Sequence, residues 1–274
     1  MATRRAAVAG TWYPGDPRQL AAEVDRYLAA ATRDVRGDLV ALIAPHAGLM
    51  YSGPIAAHAY RLLRERTFEV AVLVGPSHFV GFNGVAIQAT GGFETPFGVV
   101  DIDDVCAAEL MRATPIVREH EAAHAREHSL EMQLPFVKHL APRTRIVPLV
   151  MGYQTAETAR SLGDALGDVL SSRDALLVAS TDLSHYHDAD TAATLDRVVI
   201  DCVERFDADG LQRALNQQPD HACGGGPTVS VMRAAKLLGA RDARVLHYAD
   251  SGDVSGDKSA VVGYMAAALG NFQS

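Results

Sequence analysis

Cysteine is scarce in this 274-residue chain: Cys106, Cys202 and Cys223 are odd in number and far apart. A disulfide framework is therefore not expected, and each is read as a packed apolar residue or a reactive thiol. Basic charge is also in short supply, with 25 Lys and Arg against 33 Asp and Glu, a formal net charge of −8. No basic surplus exists to neutralise phosphates, which excludes nucleic acid as a partner held by bulk electrostatics. Long apolar runs are missing too. No segment approaches the roughly 20 residues of a membrane span, and no signal-type apolar core precedes Trp12 and Pro14. A cytoplasmic location without membrane attachment is expected. Aromatic residues are 6% of the chain and include a single tryptophan, Trp12.

What is present is ordinary for a globular chain, 48% apolar and 21% charged. The length suits one α/β domain with a sizeable core. Three short apolar runs organise it: Leu39–Ala44, Val70–Val74 and Ala175–Ser180. Each is rich in Val, Leu or Ala and stops at Pro, Gly or Ser, the pattern of a buried strand. Each is also followed at once by chemistry-bearing residues. The first leads to His46, the second through Gly75-Pro76-Ser77 to His78, and the third to Asp182, His185 and His187. In open α/β sheets the carboxyl ends of the strands are where ligands bind. Three strands that each end in His or Asp are hard to explain by packing alone.

Helical spacing predicts helices over Pro17–Ala31, Ser52–Leu63 with Ser52 as cap, Asp103–Met111, Thr155–Val169 and Ala189–Phe206. Further strands are expected at Val85–Thr90, Arg145–Met151, Arg244–Tyr248 and Ala260–Ala268. Gly91–Gly98 reads as a turn-rich connection, and Asp250–Lys258 as a polar loop that turns or covers the site. His58, alone on its helix, is left out of the site. Arg4-Arg5 is too small a cluster to mean much. Trp12 is either a packed aromatic beside a turn or a wall of the site, and Tyr51 is placed to point its hydroxyl into the same cleft as His46. The segment 119–135 is dense in His and Glu, a composition expected mostly on a solvated surface. The part kept is Glu127-His128-Ser129 with Glu131. Ser129 is expected to cap a helix through Leu130, Leu134 and Val137, leaving His128 at its mouth, open to the cleft.

Cys223 differs from the other two cysteines. It precedes three glycines and Pro227, which fit a tight turn into a helix start. A helix amino terminus favours a thiolate there. Two strand-end imidazoles and one thiolate would make a three-ligand metal site with open positions. Thiolate in place of a carboxylate moves the preference toward zinc or copper without excluding iron. His185 would act as general acid–base and Asp182 would orient it. The alternative is a set of histidines hydrogen-bonded at loop starts, with Cys223 merely packed.

The motifs Ala44–Gly48 (APHAG), Gly75–His78 (GPSH), Glu127–Phe136 (EHSLEMQLPF), Ser180–His185 (STDLSH) and Cys223–Pro227 (CGGGP) together resemble the Memo family. Gly10–Pro14 (GTWYP) and Ser251–Tyr264 extend the likeness over nearly the whole chain. Bacterial members are commonly labelled AmmeMemoRadiSam system protein B. The resemblance implies a single α/β domain, with a mostly parallel or mixed sheet between helices, similar to class III extradiol dioxygenases. It implies metal ligands at His46, His78 and Cys223, polar neighbours at Asp182 and His185, and pocket aromatics at Trp12 and Tyr51. Cys223 stands where the dioxygenases have a carboxylate. Iron, copper and redox chemistry are associated with the family, so iron is expected first, then copper or zinc.

Three functions follow as expectations. One is a metal-dependent redox enzyme or oxygenase acting on a small molecule. Another is an iron- or copper-binding protein without turnover, working with a protein partner. The third is thiol hydrolysis at Cys223, which would leave two strand-end histidines without a task.

Overall fold

A computed structural model describes residues 3–32, 35–64 and 66–273. In chain order the elements are β1 (Thr3–Arg4), α1 (Pro17–Ala30), β2 (Gly37–Ala44), α2 (Leu49–Tyr60), β3 (Val70–Pro76), β4 (Val85–Ile87), β5 (Gly92–Thr95), β6 (Gly98–Asp101), α3 (Asp104–Ala113), β7 (Val117–Glu119) and α4 (Glu121–Ala125). Then come α5 (Leu134–Leu140), β8 (Arg145–Met151), α6 (Ala156–Leu170), β9 (Ala175–Ser180), β10 (His185–His187), α7 (Ala189–Glu204), α8 (Ala208–Gln217), α9 (Gly225–Leu237), β11 (Asp242–Asp250), α10 (Gly252–Ser255) and β12 (Val261–Phe272).

The main sheet has nine strands, in the order β10-β12-β2-β9-β3-β8-β4-β7, with β11 also pairing β12. Its centre, β2-β9-β3-β8, is parallel, and the flanking pairs β12-β2 and β8-β4 are antiparallel. The sheet is mixed and carries helices on both faces. That explains why its central strands carry uninterrupted apolar runs instead of alternating. Val70, Val72 and Val74 face the cluster built with α3, α6, α7 and α9, whereas Ala71 and Leu73 face the cluster built with α1, α2 and α5. Each fully buried Val or Leu there contributes about 1.5–3 kcal/mol. β2, β9 and β3 are adjacent and point the same way, so the turns after Ala44, Ser180 and Pro76 open at one end of the sheet. No helix among the described residues is long and apolar enough to cross a membrane.

Several local expectations are corrected. Residues 91–98 do not only turn: β5 and β6 form a hairpin that joins β1 in a separate three-stranded sheet. Helix α2 begins at Leu49, not Ser52, and the Ser52 hydroxyl turns back to the Ala47 carbonyl. The loop after Asp250 contains α10, and Lys258 binds both Asp250 and Asp253 across it. Arg4 is no surface charge. It is buried against Glu131 at 2.6 Å, and Glu131 also accepts from the N–H groups of Ala7 and Val8 and from the Tyr13 hydroxyl. So many donors satisfy the buried carboxylate, and losing one partner of such a pair typically costs about 3–5 kcal/mol. The amino-terminal segment is thereby fastened to residues 127–133. Tyr13 is the packed aromatic, while Trp12 is left 38% exposed.

Candidate metal centre

His46 lies just past β2 and is 1% exposed. Its Nδ1 is 2.9 Å from the Ser180 hydroxyl at the end of β9. That hydroxyl donates its one proton to the Ser129 carbonyl at 2.6 Å and accepts from the Gln133 amide at 2.7 Å. With its proton committed, Ser180 can only accept from His46, so His46 carries its hydrogen on Nδ1. The Nε2 lone pair then faces the cleft. Gln133 is fixed in turn, donating to the Pro45 carbonyl and accepting from the Tyr60 hydroxyl at 2.8 Å.

His78, just past β3, repeats the arrangement with a different partner. Its Nδ1 is 2.8 Å from a Glu127 oxygen, and its backbone N–H donates to the other oxygen at 2.6 Å. The N–H groups of His128 and Ser129 complete four donors to this buried carboxyl. Burial alone would raise it, but the His78 bond and charge and the surrounding N–H groups outweigh burial and hold it down to about 2. An ionised carboxylate only accepts, so His78 also carries a hydrogen on Nδ1, which leaves Nε2 as the nitrogen it can offer to a metal. An imidazole presented through one nitrogen and locked through the other is how metal-binding histidines are held.

The third member is His128. Its ring stacks on His78 at 4.5 Å and meets His46 edge-on at 5.7 Å. One ligand atom each from His46, His78 and His128 lies within 4.8 Å of the others, and among the described residues these three are the group able to hold a metal ion. Cys223 is outside that group, yet its Sγ is 3.3 Å from His46 Nε2. The separation suits two ligands of one ion, given metal–nitrogen and metal–sulfur bonds of about 2.1 and 2.3 Å.

The Cys223 turn is held from several sides. Asp182 N–H donates to Sγ, Cys223 N–H donates to the Asp182 carbonyl, and Gln154 bridges the Cys223 carbonyl and the Gly226 N–H. A Cβ on Gly224 would meet the Ser180 carbonyl at 2.3 Å, so only glycine fits there. The expected thiolate is not found. Burial, then the charge of Asp182, pushes the thiol well above its ordinary value. Burial beats the helix dipole because the half-buried Cys223 sits two residues before α9, outside the helix's first turn. A bound metal ion reverses that balance by deprotonating a coordinating thiol.

Asp182 accepts from the backbone N–H of His46 at 2.7 Å and from that of Ala47, so its carboxyl organises the turn presenting His46. Burial raises it to about 7. Burial lowers His128 to about 4 and moves His46 and His185 downward, and the neighbouring His78 ring, when charged, lowers each of the three further. His46, His128 and His185 are thus pushed toward the neutral form, the form that binds metal. Trp12 is 4.4 Å from the His128 ring, at the rim. Its carbonyl accepts from Leu49 N–H at the start of α2. Tyr51, in the first turn of α2, is half-buried beside Gly48.

Sequence reasoning missed the roles of Glu127, Gln133 and Ser180. It also placed most of residues 119–135 on a solvated surface: Glu119, Glu121, Ala125 and Arg126 are exposed, but His124 and Gln133 are buried, as are Glu127, His128, Ser129 and Glu131, the part set apart from that surface. Ser129 caps no helix; its hydroxyl donates to the Pro76 carbonyl, and α5 starts only at Leu134. The available signal was the spacing: polar residues at 127, 129, 131 and 133 alternate with Leu130, Met132 and Leu134 and reach three different strand ends.

Comparison with known proteins identifies the fold and the family. An uncharacterized protein of Escherichia coli K12 shares the fold, with a TM-score of 0.53 over 83% of this chain and 99% of its own at 15% identity. A MEMO1 family protein of Methanothermobacter thermautotrophicus is 39% identical over 95% of this chain and 98% of its own length. One from Methanopyrus kandleri is 39% identical over 96% and 97%. The family model described as Memo-like protein matches residues 4–268, a span that takes in both locked histidines, His128 and the Cys223 turn, and the chain belongs to that family.

Proposed function

We propose that this chain binds one transition-metal ion through His46, His78 and His128, with the Cys223 sulfur as a further donor, and performs redox chemistry on a small molecule there. The observation that carries the reading is the repeated lock. Two strand-end imidazoles are fixed as Nδ1–H tautomers by Ser180 and Glu127, with both Nε2 atoms turned to a third imidazole. Imidazole suits iron, copper and zinc alike; iron is expected first. When bound, the ion supplies a Lewis acid or an electron-transfer centre with positions open to substrate. Asp182, near neutrality and hydrogen-bonded to His46 N–H, holds or releases a proton beside it. His185, pushed toward its neutral form, accepts one at the start of β10.

The test is elemental analysis of protein purified without added metal, wild type and variants, followed by oxygen uptake. Near-stoichiometric iron or copper is expected, lost in His46→Ala and His78→Ala. Loss in His128→Ala with retention in Cys223→Ser identifies three imidazoles as the core; the reverse makes Cys223 the third ligand. Tight metal without oxygen uptake on any substrate favours a metal-holding protein. No metal in the wild type, even after anaerobic loading with iron(II), copper(I) or zinc, overturns the reading.

A further inference from the structure

Among the described residues two that are not glycine have a left-handed backbone, Phe206 at φ 52° and Tyr186 at φ 62°. That conformation strains an L-residue, because its Cβ crowds the backbone, and strain of this kind gathers at functional sites. At Phe206 burial offsets it: the ring is 5% exposed, packs in the core and lies under the Lys236 ammonium. Tyr186 is 78% exposed, so no core offsets the strain there. The reason has to be sought in its surroundings. Tyr186 is the extra residue of a bulge in β10: His185 pairs with Val262 and His187 with the very next residue of β12, Val261. Opposed residues of an antiparallel pair share a face, and neighbours along a strand alternate. His185 and His187 are therefore sent to opposite faces, where an unbulged strand would put them on one. Bulges of this type ordinarily carry glycine at the left-handed position. Here it is a tyrosine whose ring meets the His185 ring edge-on, 5.7 Å between centroids at 67°. On its other side the His185 ring is bonded to the Leu183 carbonyl. So held, His185 looks to the strand-end centre: its charge acts on His46, and that of His78 acts on it.

We infer that Tyr186 is the positioning residue of His185: its left-handed bulge directs the imidazole toward the strand-end centre, and its ring holds that imidazole edge-on. The inference rests on the proposed function for the task of His185, accepting a proton, and adds what aims it. Glycine at this position would make the bulge without strain. It would have no ring to set against His185. The strain is kept because the side chain that causes it is in use.

The test follows the reaction of diethyl pyrocarbonate with His185 in metal-free full-length protein, read by tandem mass spectrometry, with His187 in the same peptide as internal control. Urea unfolding of each variant is measured beside it. Tyr186→Phe keeps the ring and the backbone, so its His185 rate should match that of the wild type. Tyr186→Gly keeps the bulge and removes the ring, and its His185 rate should rise about two- to tenfold, the range for an aromatic pair. Its urea midpoint should hold or rise, because glycine takes the left-handed conformation freely. A faster His185 in a protein that is no less stable separates positioning from a merely structural role. Tyr186→Val, whose branched Cβ resists the left-handed region, should release the bulge and change both histidine rates. An unchanged His185 rate in Tyr186→Gly overturns the inference, as does a rise matched by His187 together with lost stability. The readout needs no metal. A wild type that takes up no metal therefore sinks the metal centre and leaves this test standing, while an indifferent His185 sinks the positioning role alone.

Discussion

His46 and His78 leave adjacent parts of one sheet in the same way and are locked in the same tautomer, but by opposite chemistry. His46 is sealed, and its acceptor is a neutral hydroxyl backed by an amide and a phenol. His78 has 27% of its side chain open, and its acceptor is a carboxylate. The difference follows from desolvation. A second ionised group beside fully buried His46 would have to be stripped of water, at a penalty of several kcal/mol. Near the rim, Glu127 keeps its charge because four N–H groups replace the lost water. A neutral lock fixes direction, whereas an anionic one also makes its imidazole a stronger donor.

Breaking the charged lock is expected to do most. Glu127→Ala orphans four N–H donors at once, and we expect a loss of about 3–5 kcal/mol, the scale for a broken buried charge network. Metal affinity should fall about 10- to 100-fold, as for other supporting partners of metal ligands. Urea unfolding of metal-free protein and a chelator competition measure the two. An affinity unchanged within twofold would mean that Glu127 braces the backbone only.

Ser180→Ala breaks the neutral lock and should do less, about 1–3 kcal/mol from unsatisfied buried groups. Acid titration sharpens the contrast. Glu127 is held at about 2, below its ordinary 4.5, so its contribution is complete above pH 4.5 and is lost as pH falls toward 2. Buried His124 is lowered to about 4 by burial and by Arg4, so the unfolded chain takes its proton first, and stability is lost as pH falls from 6.5 to 4. Metal-free wild type should therefore weaken in two stages on acidification. Ser180→Ala keeps both, while Glu127→Gln keeps the first and loses the second. A second stage that survives Glu127→Gln would assign it to other carboxylates.

The same contrast explains what could be read in advance. The central strands announce themselves because both their faces are covered, which forces uninterrupted apolar runs such as Val70–Val74. The strand-end histidines were legible with them, since a polar residue straight after a buried strand has few places to go. Residues 127–133 were not. Their polar side chains are buried because their partners, the Pro45 and Pro76 carbonyls, Ser180 and Arg4, come from remote parts of the chain. Composition records polarity and not the distant donor that satisfies it. The short β5-β6 hairpin hid behind its glycines for a similar reason: pairing with β1 at the far amino terminus is what makes it a strand.

The smallest expected effect probes how far a neutral lock reaches. Tyr60 is fully buried, stacks on Phe136 at 4.9 Å and donates only to Gln133. Tyr60→Phe keeps the ring and removes one donor, so stability should fall by about 1 kcal/mol. Three hydrogen bonds link that hydroxyl to His46 Nδ1, through Gln133 and Ser180, and Gln133 still donates to both Pro45 and Ser180 after the change. Metal affinity should therefore move less than threefold in the chelator competition, well under the Ser180→Ala effect. An equal loss in the two variants would show that the phenol, amide, hydroxyl and imidazole polarise one another as a unit. The neutral chain would then match the carboxylate through cooperativity, and the difference between the two histidines would be one of burial alone.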